Sequence, residues 1–252
     1  MTAPIAVQFY SVRDELAKDY EGVVKRIAEM GYVGIEFWGA PGKSPEQAYQ
    51  LFNGLGLTIP SAHLPLPLGE KKNEVLETMD AIGAYHLVSP WTDPKNYATV
   101  ASIQAMAELF NQANEVAVEN GLKFSIHNHD FEMALVAGRP AYKHLMDTLD
   151  PEVLFQVDTY WVRVAGLDPA AVVADLGERA PLLHIKDGPA NREDPMTALG
   201  EGVMDIPEII EAGEGCTEWL IVELDRCATD MLEAVAKSYT YLTSRGLAEG
   251  RK

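Results

Sequence analysis

The chain has 252 residues, of which 47% are hydrophobic, and it is long enough to bury the core of one large domain or two small ones. Its 38 acidic and 20 basic residues give a net charge of −18, so nucleic acid and anionic membrane surfaces are not expected as partners. No apolar run approaches the roughly 18 residues of a membrane span. Because the N-terminal residues show no signal peptide and two cysteines cannot form a disulfide framework, we expect a cytoplasmic protein.

Short apolar runs alternate with amphipathic stretches along the whole chain. The predicted strands are Ile5–Phe9, Gly34–Phe37, Thr58–Ala62, Tyr85–Ser89, Lys123–His127, Leu154–Asp158, Leu182–Lys186 and Trp219–Glu223. The predicted helices are Tyr20–Met30, Glu46–Leu55, Glu74–Ile82, Tyr97–Asn120, Arg139–Leu149, Pro169–Leu176, Pro207–Ala212 and Thr229–Ser244. Three of these helices are followed directly by a glycine, at Gly31, Gly83 and Gly121, which is the usual residue at a helix C-terminus.

Eight such alternations without a break in composition favour one parallel α/β domain over residues 1–252. The length matches a typical (β/α)₈ TIM barrel, which has about 250 residues. The competing architecture, a doubly wound open sheet, usually carries a glycine-rich phosphate turn after its first strand. Here the first strand continues into Tyr10, Ser11, Val12 and Arg13 without a glycine. We therefore predict a single-domain (β/α)₈ barrel.

Side chains of metal-binding types stand at the ends of the last four predicted strands. They are His127, Asp158, His184 and Glu223. Since catalytic groups of TIM barrels lie at the carboxyl ends of the strands, these four side chains are expected to meet at one face. Two imidazoles and two carboxylates suit one divalent ion, and the absence of thiolates favours Mn²⁺ over Co²⁺, Fe²⁺, Zn²⁺ or Mg²⁺. The alternative is that each is only a hydrogen-bonded strand end.

The same face gathers further candidates for catalysis and substrate binding. Polar residues at or just after strand ends are Glu36, His63, His129 and Lys186. Trp38, Trp91 and Trp161 follow the second, fourth and sixth strands, where they either line a binding pocket or cover the rim of the core.

Two histidines and one loop have other interpretations. His86 begins its strand and His144 lies inside a helix, so both are expected to be structural. The segment 189–203, rich in glycine, proline and charge, is predicted to be a loop at the active face, either a lid or a variable surface loop.

Six motifs carry a resemblance to a known family. They are GIEFWG (Gly34–Gly39), SAHLP (Ser61–Pro65), HNHDFE (His127–Glu132), VDTYWV (Val157–Val162), HIKDG (His184–Gly188) and IVELD (Ile221–Asp225). In their order and spacing the chain resembles the xylose isomerase-like TIM barrel family, which includes sugar isomerases and epimerases, inosose dehydratase, dehydroshikimate dehydratase and the AP endonuclease IV group. The resemblance covers nearly the whole chain. It implies a small-molecule sugar or keto-sugar as substrate, and related barrels often form homo-oligomers.

The resemblance also implies one divalent ion held from strands five to eight, commonly by Glu, Asp, His and Glu. Asp158, His184 and Glu223 match the last three positions, whereas His127 stands where sugar epimerases usually carry Glu. Ketose epimerases use the two ligand glutamates as a pair, one on each face of the substrate. Only Glu223 remains of that pair here, so another acid/base must oppose it. His129 shares the strand face of His127.

Three more residues, Glu36, His63 and Lys186, are further candidates for the catalytic group that opposes Glu223. His63 is also assigned, with the tryptophans, to substrate binding. The DNA-repair members of the family use three zinc ions and need more histidines, but the residue three positions after Asp158 is Trp161 instead of histidine. Together with the net charge, this argues against a DNA-repair function.

The expected chemistry begins with the ion acting as a Lewis acid on a substrate carbonyl. A base then removes the neighbouring proton to give a metal-stabilised enediolate. Return of the proton gives isomerisation or epimerisation, and loss of a β-hydroxyl gives dehydration. We expect a metal-dependent keto-sugar isomerase or epimerase. A keto-sugar or keto-inositol dehydratase or lyase is the alternative, since inosose dehydratase has a similar histidine-rich strand-five end, and a non-catalytic sugar-binding module is a second alternative.

Overall fold

Eight parallel strands close into a barrel in the computed structural model, which describes residues 2–251. They are β1 (Ile5–Gln8), β2 (Gly34–Phe37), β3 (Thr58–His63), β4 (His86–Ser89), β5 (Lys123–His127), β6 (Leu154–Asp158), β7 (Leu182–Ile185) and β8 (Trp219–Val222). Each strand pairs with its neighbour in sequence, and β8 pairs with β1 to close the barrel. The predicted (β/α)₈ architecture is confirmed, with strand ends within two residues of the predicted ones.

Helices cover the outside of the barrel. Within residues 2–251 they are α1 (Arg13–Leu16), α2 (Tyr20–Met30), α3 (Pro45–Gly54), α4 (Lys72–Ile82), α5 (Val100–Glu119), α6 (Ala141–Met146), α7 (Thr159–Val164), α8 (Pro169–Leu176), α9 (Ile206–Ala212) and α10 (Met231–Ser244). Side-chain caps set several starts, because Ser44 and Thr99 each accept a hydrogen bond from the third backbone amide of the helix that follows. None of the helices described here is long and apolar enough to cross a bilayer.

The predicted helix Arg139–Leu149 is wrong at its start. Leu135–Val136 and Arg139–Pro140 form a small antiparallel hairpin instead, and α6 begins only after Pro140. Ala137 and Gly138 have positive φ angles, as a tight hairpin turn requires. The pattern of apolar residues gave no sign of the hairpin, because its strands have only two residues each.

Alternation along the strands divides the barrel interior into layers. Successive inward positions lie two residues apart, because side chains of a strand point alternately to its two faces. An apolar layer contains Ala6, Val88, Leu182 and Ile221. The next inward positions toward the carboxyl end are polar and fully buried, and they include Gln8, Glu36, Gln156 and His184. The barrel therefore supports a polar site on an apolar floor.

Candidate metal centre at the carboxyl end of the barrel

The four predicted metal ligands converge at the carboxyl end of the barrel. One donor atom from each of His127, Asp158, His184 and Glu223 lies within 4.8 Å of the others, and all four side chains are buried. Asp158 Oδ2 lies 3.8 Å from His127 Nε2 and 3.9 Å from His184 Nδ1. Among the described residues this buried oxygen has no partner with aligned hydrogen-bond geometry, although the Lys186 ammonium lies 2.8 Å from it. These donors fit one divalent ion, whose bonds to nitrogen and oxygen are about 2.0–2.2 Å long.

Asp158 is held in place by its own backbone surroundings. Its Oδ1 accepts a hydrogen bond from the Trp161 amide at 3.0 Å and so caps α7, which leaves Oδ2 to face the imidazoles. The side chain of Asn128 bonds both the amide and the carbonyl of Asp158, at 2.9 and 3.2 Å. The ends of β5 and β6 are thereby joined, and Asn128 was not among the predicted residues.

A carboxylate below the cluster orients His184. Glu36 Oε1 accepts a hydrogen bond from His184 Nε2 at 2.6 Å, so that His184 Nδ1 faces Glu223 Oε2 at 2.7 Å. Glu36 also accepts from Ser61 Oγ at 2.6 Å and from the side-chain nitrogen Nε2 of Gln8. A carboxylate that holds the far nitrogen of a ligand histidine is a common device in metal sites. Glu36 is fully buried, so this position suits orientation of His184 better than contact with a substrate.

Gln156 orients two more imidazoles. Its Oε1 lies 2.6 Å from His63 Nε2 and 3.0 Å from His127 Nδ1, and because an amide oxygen only accepts, both rings donate to it. His127 Nε2 is then free to bind a metal ion. The amide nitrogen of Gln156 donates in turn to Glu36. Gln156 therefore connects His63 and His127 to Glu36 in the layer below the cluster. Sequence reasoning missed it, although it lies two residues before Asp158.

The charges of the cluster follow from these contacts. Burial raises the pKa of Glu36, but His63 and His184 outweigh it and hold this pKa at about 2. Burial lowers the pKa of His184, but Glu36 and Glu223 outweigh it and raise this pKa to about 10. Burial dominates at His127, whose pKa lies well below its usual value. His127 is thus neutral, as a metal ligand would have to be, whereas His184 would have to lose the proton on Nδ1 before this nitrogen could bind an ion.

A lysine ammonium lies against the ligand carboxylates. Lys186 is fully buried, and its Nζ is 2.6 Å from Glu223 Oε2, 2.8 Å from Asp158 Oδ2 and 2.9 Å from Asp225 Oδ2. Burial lowers the pKa of Lys186, but these three carboxylates outweigh it and hold the pKa well above its usual value. Lys186 is therefore a charged part of the site.

His129 lies at the edge of the cluster, where its ring centroid is 5.1 Å from that of His127. Its backbone amide donates to Glu132 Oε2 at 2.8 Å, and its Nδ1 lies 3.9 Å from Glu132 Oε1. Burial lowers the pKa of His129, and Glu132 raises it by more, so that the pKa lies above its usual value. The buried Glu132, which was not predicted, thus supports a histidine that is itself partly accessible.

The predicted tryptophans have different positions. Trp161 lies in the site, because its ring is 5.9 Å from Lys186 Nζ and 6.4 Å from the His129 ring. Trp38 is 41% exposed and packs edge-on against Tyr10, and Trp91 is 58% exposed. Both lie nearer the surface than Trp161, on the loops that follow β2 and β4.

The loop at residues 189–203 is anchored to the barrel by Asp187. The buried carboxylate of Asp187 accepts hydrogen bonds from the amides of Gly200, Gly202 and Met204 at 2.9 to 3.1 Å. A Cβ atom at Gly202 would come within 2.1 Å of Asp187 Oδ1, so glycine is required there. Asp187 was also not predicted, although it stands within the motif HIKDG.

The remaining histidines are structural, as predicted. His86 is buried at the start of β4 and lies 3.2 Å from Glu218 Oε2, at the opposite end of the barrel. His144 lies 2.9 Å from the carbonyl of Val136 and joins α6 to the hairpin. Neither belongs to the four-residue cluster at the carboxyl end.

Comparison with known proteins gives a family match and solved structures. The family described as xylose isomerase-like TIM barrel matches residues 24–242. A comparison with curated proteins gives no match. A sugar phosphate isomerase/epimerase from Parabacteroides distasonis ATCC 8503 is 23% identical, with a TM-score of 0.81 and coverage of 99% of this chain and 96% of that chain.

Two further solved structures are similar over nearly their whole length. The probable 3-DHS dehydratase AsbF from Bacillus anthracis is 15% identical, with a TM-score of 0.78 and coverage of 96% of this chain and 99% of that chain. The IOLI protein, whose structure contains a zinc atom, is 13% identical, with a TM-score of 0.72 and coverage of 98% of each chain. At these identities the likeness shows a shared fold.

Proposed function

Because the chain belongs to the xylose isomerase-like TIM barrel family, we propose that it is a metal-dependent enzyme that isomerises or epimerises a sugar or keto-sugar. The observation that carries the proposal is the convergence of four buried donors from four neighbouring strands. A barrel that only bound a sugar would not need two imidazoles and two carboxylates facing one another. The proposed ligands are His127, Asp158, His184 and Glu223, and Mn²⁺ is the preferred ion.

The bound ion would act as a Lewis acid that makes the C–H next to a substrate carbonyl more acidic. Lys186 and His184 outweigh the effect of burial and hold the pKa of Glu223 well below its usual value, so this carboxylate is ionised. Glu223 removes the proton from the carbon next to the carbonyl, and the electrons of that C–H bond form an enediolate.

His129 is the proposed group that opposes Glu223. It is separated from Glu223 by His127 and His184, and Glu132 holds it with its charged form favoured. In an epimerase His129 would return a proton to the same carbon from the other face. In an isomerase the proton would return to the neighbouring carbon. Either way one proton leaves the substrate and one is given back.

A dehydratase or lyase is the second candidate, and the His129–Glu132 pair favours it. The first proton transfer would be the same, but His129 would then protonate a β-oxygen as its bond to carbon breaks. A histidine held by a carboxylate can give a proton to oxygen as well as to carbon. The two candidates therefore differ only in the atom that receives the second proton.

Deuterium incorporation distinguishes the candidates. We would incubate the Mn²⁺-loaded protein with a panel of keto-sugars and keto-inositols in D₂O and follow the products by NMR. Deuterium at the carbon next to the carbonyl, without loss of water, is expected for an isomerase or epimerase, and an unsaturated product identifies a lyase. His129→Gln should slow product formation by about 10²–10⁴-fold. Sugar binding without exchange or product across the panel would contradict an enzymatic function.

A further inference from the structure

We propose that Lys186 is an internal counter-cation, which neutralises Asp158 and Glu223 in the metal-free protein and moves to Asp225 when the metal ion binds. The inference rests on the proposed metal site. It concerns a residue that holds the ligands in position, and it gives Lys186 a role that does not depend on the identity of the sugar.

The ammonium and the metal ion require the same oxygen atoms. Lys186 Nζ lies 2.8 Å from Asp158 Oδ2 and 2.6 Å from Glu223 Oε2. Those two oxygens are also the ones that face the imidazoles, since Glu223 Oε2 is 2.7 Å from His184 Nδ1. An ion held by both oxygens would lie within a few ångströms of the ammonium, where two positive charges repel strongly in a buried site. The ion and the ammonium therefore compete for these carboxylates.

Asp225 is the carboxylate that can keep the Lys186 ammonium when the metal ion binds. Of the three carboxylates around Lys186 Nζ, Asp225 is the one with aligned hydrogen-bond geometry, at 2.9 Å. Its side chain is 28% exposed, whereas those of Asp158 and Glu223 are at most 5% exposed. Asp225 also lies outside the four-donor cluster. The flexible lysine side chain can keep this bond while its contacts to the two ligands are released.

The balance of buried charges predicts how loss of Lys186 changes the stability of the metal-free protein and its affinity for the ion. Without Lys186, two buried carboxylates would lose a cation that lies within 2.8 Å of each. A buried charge whose partner is removed destabilises the folded protein, and the same unpaired charge attracts a divalent ion more strongly. Loss of the ammonium should therefore weaken the metal-free protein and strengthen metal binding.

The test measures Mn²⁺ affinity by isothermal titration calorimetry, without substrate, for the wild type and Lys186→Met. We expect the affinity to rise by at least about tenfold in the variant. Thermal unfolding should show a lower Tm for the metal-free variant, and Mn²⁺ should raise its Tm by more than it raises that of the wild type. An affinity that is unchanged or lower in Lys186→Met would overturn the competition.

Asp225→Asn tests the movement, with Asp130→Asn as the matched control because Asp130 pairs with Arg192 and not with Lys186. We expect Asp225→Asn to weaken Mn²⁺ binding more than Asp130→Asn does, and to have a smaller effect in the Lys186→Met background. Equal losses in the two single variants would overturn the movement to Asp225, even if Lys186→Met does not fold without metal. A wild type that binds no Mn²⁺ would refute the metal site itself, which separates that failure from the failure of the counter-cation.

Discussion

The two ends of the barrel contain the same kinds of residues in different arrangements. At the amino end, Glu218 Oε2 lies 3.2 Å from His86 Nε2, and Glu218 Oε1 lies 2.6 Å from Lys123 Nζ. Ser125 Oγ lies 3.4 Å from the other nitrogen of His86. The Glu218 carboxylate therefore pairs with one imidazole and one ammonium. The polar groups of this cluster find their partners within the cluster itself.

At the carboxyl end, four side chains of metal-binding types face one another. Asp158 and Glu223 face the imidazoles of His127 and His184, and both carboxylates share the ammonium of Lys186. The difference shows that histidine, carboxylate and lysine in proximity do not by themselves mark a site. Convergence of several ligand atoms on one point distinguishes the site from a structural cluster.

The strongest test of this comparison exchanges one glutamate for glutamine at each end. Glu223→Gln should reduce turnover by at least about 10³-fold, because the base and a metal ligand are lost together. Glu218→Gln is the matched control and should leave turnover unchanged. Steady-state rates and thermal unfolding of both variants provide the measurements. Near-wild-type turnover of Glu223→Gln would refute the assignment of this glutamate as the base.

A smaller effect is expected from the residues that orient the ligands. Gln156→Met removes the oxygen that accepts hydrogen bonds from His63 and His127. The Mn²⁺ affinity should therefore fall by about 10–100-fold. Ser125→Ala removes a buried inward hydroxyl near His86 at the other end and should leave the affinity unchanged. Calorimetric titration with Mn²⁺ measures both. Equal affinities in the two variants would show that the layer below the ligands does not orient them.

The smallest effect concerns acid stability. A hydrogen bond from His86, with Lys123, lowers the pKa of Glu218 to about 2 from its ordinary value of 4.5. Because the folded pKa is the lower one, this stabilisation is fully present above pH 4.5 and is lost as the pH falls toward 2. The side chain is 36% exposed, so its contribution is below about 1 kcal/mol.

Urea unfolding of the wild type and Glu218→Gln at pH 6, 4 and 3 checks this dependence. The difference in unfolding free energy between the two proteins should be largest at pH 6 and should shrink as the pH falls. A difference that stays constant down to pH 3 would mean that Glu218 is not stabilised by these partners.

The sequence was sufficient to predict the barrel and the meeting of His127, Asp158, His184 and Glu223 at one end of it, because both depend on local patterns. Alternating apolar runs predict strands, and a polar residue at the end of a strand predicts a place on the carboxyl face. The same reasoning applied two residues earlier would have identified Gln156 as a buried inward side chain. Sequence patterns could not predict the pairing of Glu36 with His184, because these residues are 148 positions apart and meet only when the barrel closes.

The capping role of Asp158 gives the site an optical reporter. The same carboxylate that faces the imidazoles also holds the amide of Trp161, and the indole lies 5.9 Å from the ammonium of Lys186. A change in the ligands or in the position of this charge therefore changes the electric field at a partly buried indole. In a variant that keeps Trp161 as its one tryptophan, with Trp38, Trp91 and Trp219 replaced by phenylalanine, we expect ion binding to change the emission without a substrate and without a label.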